Sequence, residues 1–291
     1  MRLATISYQG QEQVAVVEER GLIPLAELIT QYDLPTTWQT DMKHLITTAL
    51  DELVIWYNGL SSPPRVPVIP FTEIQFLPLY RNPDKIWSIG LNYSDHAADL
   101  DEGTPELFPG SFMRPATTII GFDDEIMLSP LSQRTTGEAE LAIVIGKQTK
   151  DIAKDSWLDA VAGFTTIIDM TAEDILRHNP RFLTLAKAFD TFFSFGPVLI
   201  TADEFTTDQV FNLEVSTIHN GQIHASNQVK NMRYPPDYLV SFHSQVMTLL
   251  PGDIIATGTP RARQIENGDT IGCNISGFYS LHNPVRRLSE R

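Results

Sequence analysis

The chain has a single cysteine, Cys273, among its 291 residues. An intrachain disulfide is excluded, and so is a zinc site built from several thiolates. Cys273 sits in the alternating run TIGCNISG, which reads as a strand with a packed thiol rather than a nucleophile. Basic residues are scarce: 21 Lys and Arg stand against 36 Asp and Glu, a formal net charge of −15. That field repels phosphate backbones, so nucleic acid and anionic membrane are excluded as general partners. A small anionic substrate is still admitted, because a bound divalent cation inverts the local field. No apolar run approaches the length of a membrane span, and the opening MRLATISYQGQEQVAVVEE has no signal-peptide core. The expectation is a cytoplasmic protein. G-x-S-x-G, G-x-G-x-x-G, P-loop and H-E-x-x-H signatures are all missing. Covalent serine chemistry, dinucleotide binding and zinc proteolysis lose weight accordingly.

What is present is an ordinary globular composition, 42% hydrophobic and 20% charged, in a chain long enough for one large core with a small companion. LATISY and QVAVVEE read as strands separated by the turn-prone QGQE. From Met42 to Asn58, Leu45, Ala49, Leu53 and Trp56 recur at helical spacing, and Gly59 is a natural stop. The proline-rich SSPPRVPVIP forbids a regular helix and marks a boundary. Residues 1–75 are expected to form a small N-terminal α/β cap domain and residues 76–291 the catalytic domain. The latter is dense in short strand signals: KIWSIG, EAELAIVIG, GFTTIID, GPVLIT, NLEVSTIHNG, GDIIATG and DTIGCNISG. One helix is expected after Thr171, where T-A-E-D offers an N-cap hydroxyl, and another over PPDYLVSFHSQVMTLL. Many strands with few long helices between them predict a mixed, β-rich α+β fold rather than a doubly wound sheet.

The chemistry resides in carboxylates at awkward places. In GEAELAIVIG a period of two puts Glu138 and Glu140 on one strand face. Ala142 and Val144 continue that face, while Ala139, Leu141, Ile143 and Ile145 line the other, so the strand runs into the interior. Two neighbouring buried carboxylates repel, and a hard divalent cation resolves both the repulsion and the burial. The alternative is a solvated strand end. Asp169, ending the apolar run GFTTIID, supplies a third oxygen ligand, a set suited to Mg²⁺ or Mn²⁺. Asp174 reads instead as a helix-start residue.

His96, in KIWSIGLNYSDHAADL, is the acid–base candidate, with Asp99 three residues on to orient or charge the imidazole if HAAD is a helical turn. A surface histidine in a polar loop is the alternative. Lys187, in the apolar stretch TLAKAFDTFFSFGP, must snorkel outward or meet an anion. Thr257, Gly258 and Thr259, in the TGTP that ends GDIIATG, offer hydroxyls and amides to a carboxylate or carbonyl oxygen, or form a plain turn.

These segments, in this order, resemble the fumarylacetoacetate hydrolase family. The resemblance rests on KIWSIGLNYSDHAADL, FMRPATTIIGFDDEIMLSP, GEAELAIVIGK, AGFTTIIDMTAEDI, AKAFDTFFSFGPVLIT and LLPGDIIATGTP, and covers roughly residues 80 to 285. It implies a β-rich mixed sheet or roll fold of that family's C-terminal type, a homodimer, and Mg²⁺ or Mn²⁺ held by Glu138, Glu140 and Asp169. It further implies His96 as general base, assisted by Asp99, and Lys187 in the active site. Tyr93, Arg114 and Thr257 to Thr259 fall at substrate-binding positions. The sequence also departs from the pattern. Where many members carry Asn before the metal aspartate, Arg four residues after it and Gln three further on, this chain has Ile168, Glu173 and Leu176. The common Lys-Pro pair is Arg114-Pro115, and RARQIENGD follows TGTP in place of a glycine-rich stretch. Arg177 and Arg181 are candidates to compensate.

The expected reaction is hydrolysis of a carbon–carbon bond in a 1,3-dicarbonyl, acylpyruvate-like acid. The metal chelates the 2-oxo acid end, His96 activates water, and the enolate leaving group is stabilised by the metal and Lys187. The rivals are a decarboxylase, hydratase or keto–enol isomerase acting on a 2-oxo acid, and a non-catalytic metabolite-binding protein.

Overall fold

The expected N-terminal hairpin forms: Arg2–Tyr8 pairs antiparallel with Gln11–Glu18, and Gln9 and Gly10 turn between them at positive φ. The computed structural model describes residues 1–38, 41–94 and 105–289. Among these, thirteen strands form one mixed sheet and five form another, an α+β architecture. The principal path of the large sheet starts at the edge with Gly21–Pro24, Gln11–Glu18 and Arg2–Tyr8. It continues through Val198–Thr201, Val161–Ala172 and Thr135–Ile145 to Ile254–Ala256, Ile86–Gly90 and Gly110–Arg114. The N-terminal hairpin thus shares a sheet with the strands of residues 76–291, joined where Arg2 faces Ile200 and Ala4 faces Val198. The proline-rich linker runs extended, and Ile69 bridges back to Leu22.

Thr135–Ile145 and Val161–Ala172 are the spine of the molecule. They pair antiparallel along nearly their whole length, and every residue of both is buried. A strand covered on both faces must be apolar on both, and downstream of Glu140 this one is. Ala139, Leu141, Ile143 and Ile145 join a core shared with helix Pro236–Val246 and the smaller sheet. Ala142 and Val144 join a second core beneath the N-terminal helices. Glu138 and Glu140 lie in the row of this second face, as the period of two requires. Cys273 packs in the first core as a buried strand thiol.

Two expected helices differ in detail. The one over Met42 to Asn58 is divided into Met42–Thr48 and Leu50–Asn58, with Ala49 out of helical conformation at φ −146 and ψ 0. Thr47 and Thr48 hydrogen-bond back to the carbonyls of Lys43 and His44, a competition that weakens a helix end. The helix after Asp169 starts at Glu173, and Thr171 is not its cap. Thr171 pairs with Thr136 in the sheet, and its hydroxyl is drawn to Glu138 instead. Asp174 does serve the helix start, accepting from the Ile175 amide at 3.0 Å. It also ties that start to the preceding loop through the Ser132 hydroxyl at 2.7 Å and the Gln133 amide at 2.8 Å. These donors outweigh desolvation and lower its pKa.

Candidate metal centre

Register brings the three carboxylates together. Asp169 lies directly opposite Glu138, and Glu140 is opposite Ile167, one step away on the same face. Each contributes an oxygen such that the three lie within 4.8 Å of one another, and no more than 7% of any of these residues is exposed. Desolvation, then repulsion from Asp169 and Glu138, pushes the Glu140 carboxyl well above the usual carboxylate range. All three donors are hard oxygens buried side by side, so the set fits a small divalent cation such as Mg²⁺ or Mn²⁺.

Two buried cations already lean on this cluster. Lys187 closes the short helix Leu183–Lys187 and places Nζ 3.0 Å from Asp169 Oδ1 and 3.2 Å from Glu138 Oε2. It does not snorkel. Burial by itself would drive its proton off, but Asp169 and Glu138 outweigh that and raise its pKa. The ammonium also lies 5.1 Å from the centre of the Phe112 ring. Arg114, at the end of Gly110–Arg114, donates from Nη2 to the same Asp169 oxygen, and from Nη1 to the carbonyls of Lys187 and Phe192 at 2.5 and 2.8 Å. Its guanidinium is thus committed to Asp169 and the Lys187 backbone, a structural role the sequence does not disclose.

The remaining contacts fix individual oxygens. Glu138 Oε1 accepts from Thr171 at 2.7 Å and Thr136 at 3.1 Å. Glu140 Oε2 accepts from the Gly258 amide at 2.8 Å. Gly258 holds φ +97, and a Cβ there would lie 2.9 Å from Asn92 Cβ. Only glycine brings that amide to Glu140 without strain. Asn92 clamps the region by donating to the Tyr234 and Thr257 carbonyls and accepting from the Tyr234 amide. The Thr257 hydroxyl is spent on the Leu141 carbonyl at 2.8 Å, and that of Thr259 points to the Arg261 carbonyl at 3.3 Å. Tyr93 is fully buried with no hydrogen-bond partner for its hydroxyl among the described residues. Burial, then Glu140, raises its pKa. His96 and Asp99 lie outside the described residues.

The rewritten positions after Asp169 have a definite arrangement. Ile168 is in the core, facing away from the carboxylates, and Leu176 packs against the same core. Glu173 is buried and shared by two guanidiniums, Arg134 through Nε at 2.9 Å and Arg177 through Nε. Its charge is therefore answered locally. Arg134, Thr136 and Thr171 were not signalled as site residues. The period of two that selected Glu138 extends to Thr136 on one strand and from Asp169 to Thr171 on the other, and Arg134 lies just before the first of them.

The family model for the fumarylacetoacetate hydrolase C-terminal domain matches residues 85–286. A human mitochondrial oxaloacetate tautomerase, FAHD2B, is 36% identical over 230 residues, covering 76% of this chain and 72% of that protein. An uncharacterised protein of Methanocaldococcus jannaschii is 40% identical over 205 residues, 70% of this chain and 84% of its own. Among solved structures, the maleylpyruvate hydrolase of Sphingobium sp. SYK-6, in complex with manganese(II) and pyruvate, superposes with a TM-score of 0.81. It is 26% identical and covers 99% of this chain and 100% of that one. The 5-carboxymethyl-2-hydroxymuconate delta-isomerase of Mycobacterium smegmatis gives 0.77 at 28% identity, with both chains fully covered.

Proposed function

Because this chain belongs to the fumarylacetoacetate hydrolase family, with the catalytic-domain match spanning residues 85–286, we propose that it is a divalent-metal-dependent enzyme of 2-oxo acid enolisation. Its proposed reaction is keto–enol tautomerisation of a short 2-oxo dicarboxylic acid of the oxaloacetate type. The observation that carries this reading is the charge balance of the buried cluster. With all three carboxylates ionised, as metal ligation requires, they face two cations, Lys187 and Arg114, and the cluster has one negative charge in excess. A divalent cation reverses the sign and leaves one positive charge, which suits the anionic end of a 2-oxo acid. Bound at Glu138, Glu140 and Asp169, that cation supplies Lewis-acid polarisation of the 2-oxo group.

The chain's own groups do the rest. Lys187 has two contacts to carboxylates and a third N–H to offer, so its ammonium opposes the negative charge that develops on the substrate oxygen as the C3 proton leaves. Arg114 fixes one oxygen of Asp169 and leaves the other for the metal. The Gly258 amide does the same for Glu140. Transfer of the proton between C3 and the oxygen is assigned to His96, with Asp99 orienting it, on the strength of the resemblance. Tyr93 and the turn from Thr257 to Thr259 belong to the substrate pocket on the same ground.

The 36% identity to an oxaloacetate tautomerase favours this reaction over carbon–carbon hydrolysis. The second reading, hydrolysis of an acylpyruvate-like acid with His96 activating water, is favoured by the likeness to a maleylpyruvate hydrolase. The test is the decay of the enol absorbance of oxaloacetate with purified protein, in Mg²⁺, Mn²⁺ or EDTA, beside a panel of acylpyruvates. Metal-dependent acceleration of enol loss is expected. Cleavage of acylpyruvates with no effect on the oxaloacetate enol would replace the first reading by the second. A homodimer is part of the proposal. So is a cytoplasmic location: no helix among the described residues is long and apolar enough to cross a membrane.

A further inference from the structure

We propose that Arg134 is the residue that recognises the far carboxylate of a dicarboxylic substrate, taking over the task of the cation that is missing at position 173. This rests on the metal-dependent reading above and names the part of the substrate that the metal does not hold.

The sheet register carries the argument. Asp169 faces Glu138, Thr171 faces Thr136, and the ladder continues where the Glu173 amide donates to the Arg134 carbonyl at 2.8 Å. Side chains at alternate positions share a face, so Thr136 and Thr171 lie on the face of the three carboxylates, one step along, and Arg134 and Glu173 follow just beyond the ends of the two strands. Each step is about 7 Å. Gln264 is paired directly with Thr136 from the other side and shares the face at the intermediate step. Arg134 folds back towards it: Nη1 donates to Gln264 Oε1 at 2.6 Å, while Nε donates to Glu173. The guanidinium is thereby brought to the Thr136 step. Its other terminal nitrogen, Nη2, has no protein partner among the described residues.

The distance matches a particular substrate length. In a four-carbon 2-oxo dicarboxylate chelated through its carboxylate and 2-oxo oxygens, the far carboxylate oxygens would fall about 5 to 6 Å from a cation binding those oxygens at about 2.1 Å. That is nearly one step of the strand pair. Arg134 and Arg177 share the single carboxylate of Glu173, so neither guanidinium is fully matched by it, with 46% and 48% of the two arginine side chains exposed. The other acids at this end are engaged. Asp174 is held by Ser132 and Gln133, and Glu266 accepts from the Gln264 amide at 3.4 Å. A planar guanidinium with a free edge is suited to a carboxylate, and a 2-oxo monocarboxylate leaves that edge unmet.

The experiment compares (S)-malate with (S)-lactate, which share a chelating 2-hydroxy acid end and differ by the far carboxylate. Binding of each to the Mn²⁺-loaded protein is measured by calorimetry. The wild type is expected to prefer malate. Arg134→Gln should lower the malate-to-lactate affinity ratio about tenfold, with lactate affinity unchanged. Glu173→Gln removes the carboxylate that competes for the guanidinium, so it should raise the same ratio, a direction that a merely structural salt bridge would not give. An Arg134→Gln ratio equal to wild type, or a Glu173→Gln ratio that falls, overturns the assignment and leaves the metal-dependent reading standing. A wild type that binds neither acid in the presence of Mn²⁺ overturns both.

Discussion

Replacing Lys187 by Met should harm the metal-free protein far more than the metal-loaded one. The lysine is buried and makes contacts of 3.0 and 3.2 Å to the carboxylates of Asp169 and Glu138. Removing one partner of a buried ion pair costs about 3 to 5 kcal/mol, because the other charge is left desolvated and unpaired. Arg114 still holds Asp169 in the variant, which sets the expected loss near the lower end, about 3 kcal/mol in EDTA. For a chain of this size that is a fall in Tm of about 6 °C. With saturating Mn²⁺ the carboxylates acquire a stronger counter-charge, and the loss should be clearly smaller. The pH dependence has a definite sign. Glu140 titrates above its unfolded value, so in EDTA the folded state holds a proton that the unfolded chain has released. Stability is fully present below the unfolded carboxylate pKa and is lost as pH rises towards the folded one. The metal-free variant should therefore be least impaired at acid pH. The assay is urea unfolding of wild type and variant, in EDTA and in Mn²⁺, at several pH values. An equal loss in both media would refute the reasoning, because it would mean that Lys187 acts by packing and not as counter-ion to the triad.

Gly258→Ala should cost about 2 to 4 kcal/mol, since alanine at φ +97 is strained and its Cβ would press on Asn92. It should also weaken Mn²⁺ binding by pulling the amide from Glu140; melting and a Mn²⁺ titration read the two effects, and unchanged metal affinity would show that the amide contact is incidental. His243 is buried edge-on to Trp87, its Nδ1 2.7 Å from the Leu239 carbonyl, and desolvation pulls its pKa down to about 4. The folded state then resists protonation, so stability present above the unfolded pKa should decline by up to about 3 kcal/mol as pH falls from about 6.5 to 4. His243→Gln should flatten that part of the wild-type profile in urea titrations, and an unaltered slope would assign the acid sensitivity elsewhere.

The pattern along a single strand was enough to place Glu138 and Glu140 side by side, because alternation is a local property of extended backbone. That Asp169 comes directly opposite Glu138 is a matter of register between strands, which spacing does not specify; only the order of motifs pointed there. Thr171 was misread for an instructive reason. T-A-E-D satisfies the local chemistry of a helix cap, yet pairing with Thr135 and Thr136 extends the strand through Ala172 and gives the hydroxyl to Glu138. Glu173 stood out in the sequence only as a departure from the family pattern, since its partner Arg134 is distant in sequence and meets it only through the fold. Arg114 was legible as a cation near the substrate, but its grip on Asp169 and on the Lys187 carbonyl depends on three separate elements meeting in the core.

That grip bears on how the proposed metal would be loaded. In small zinc domains the ligands have no shared geometry until the ion arrives, so loading and folding are one event. Here two side chains of the chain itself, Arg114 and Lys187, pair with Asp169 and Glu138 and so fix two of the three carboxylates. Folding can precede loading, and a chelator should switch the protein off without unfolding it.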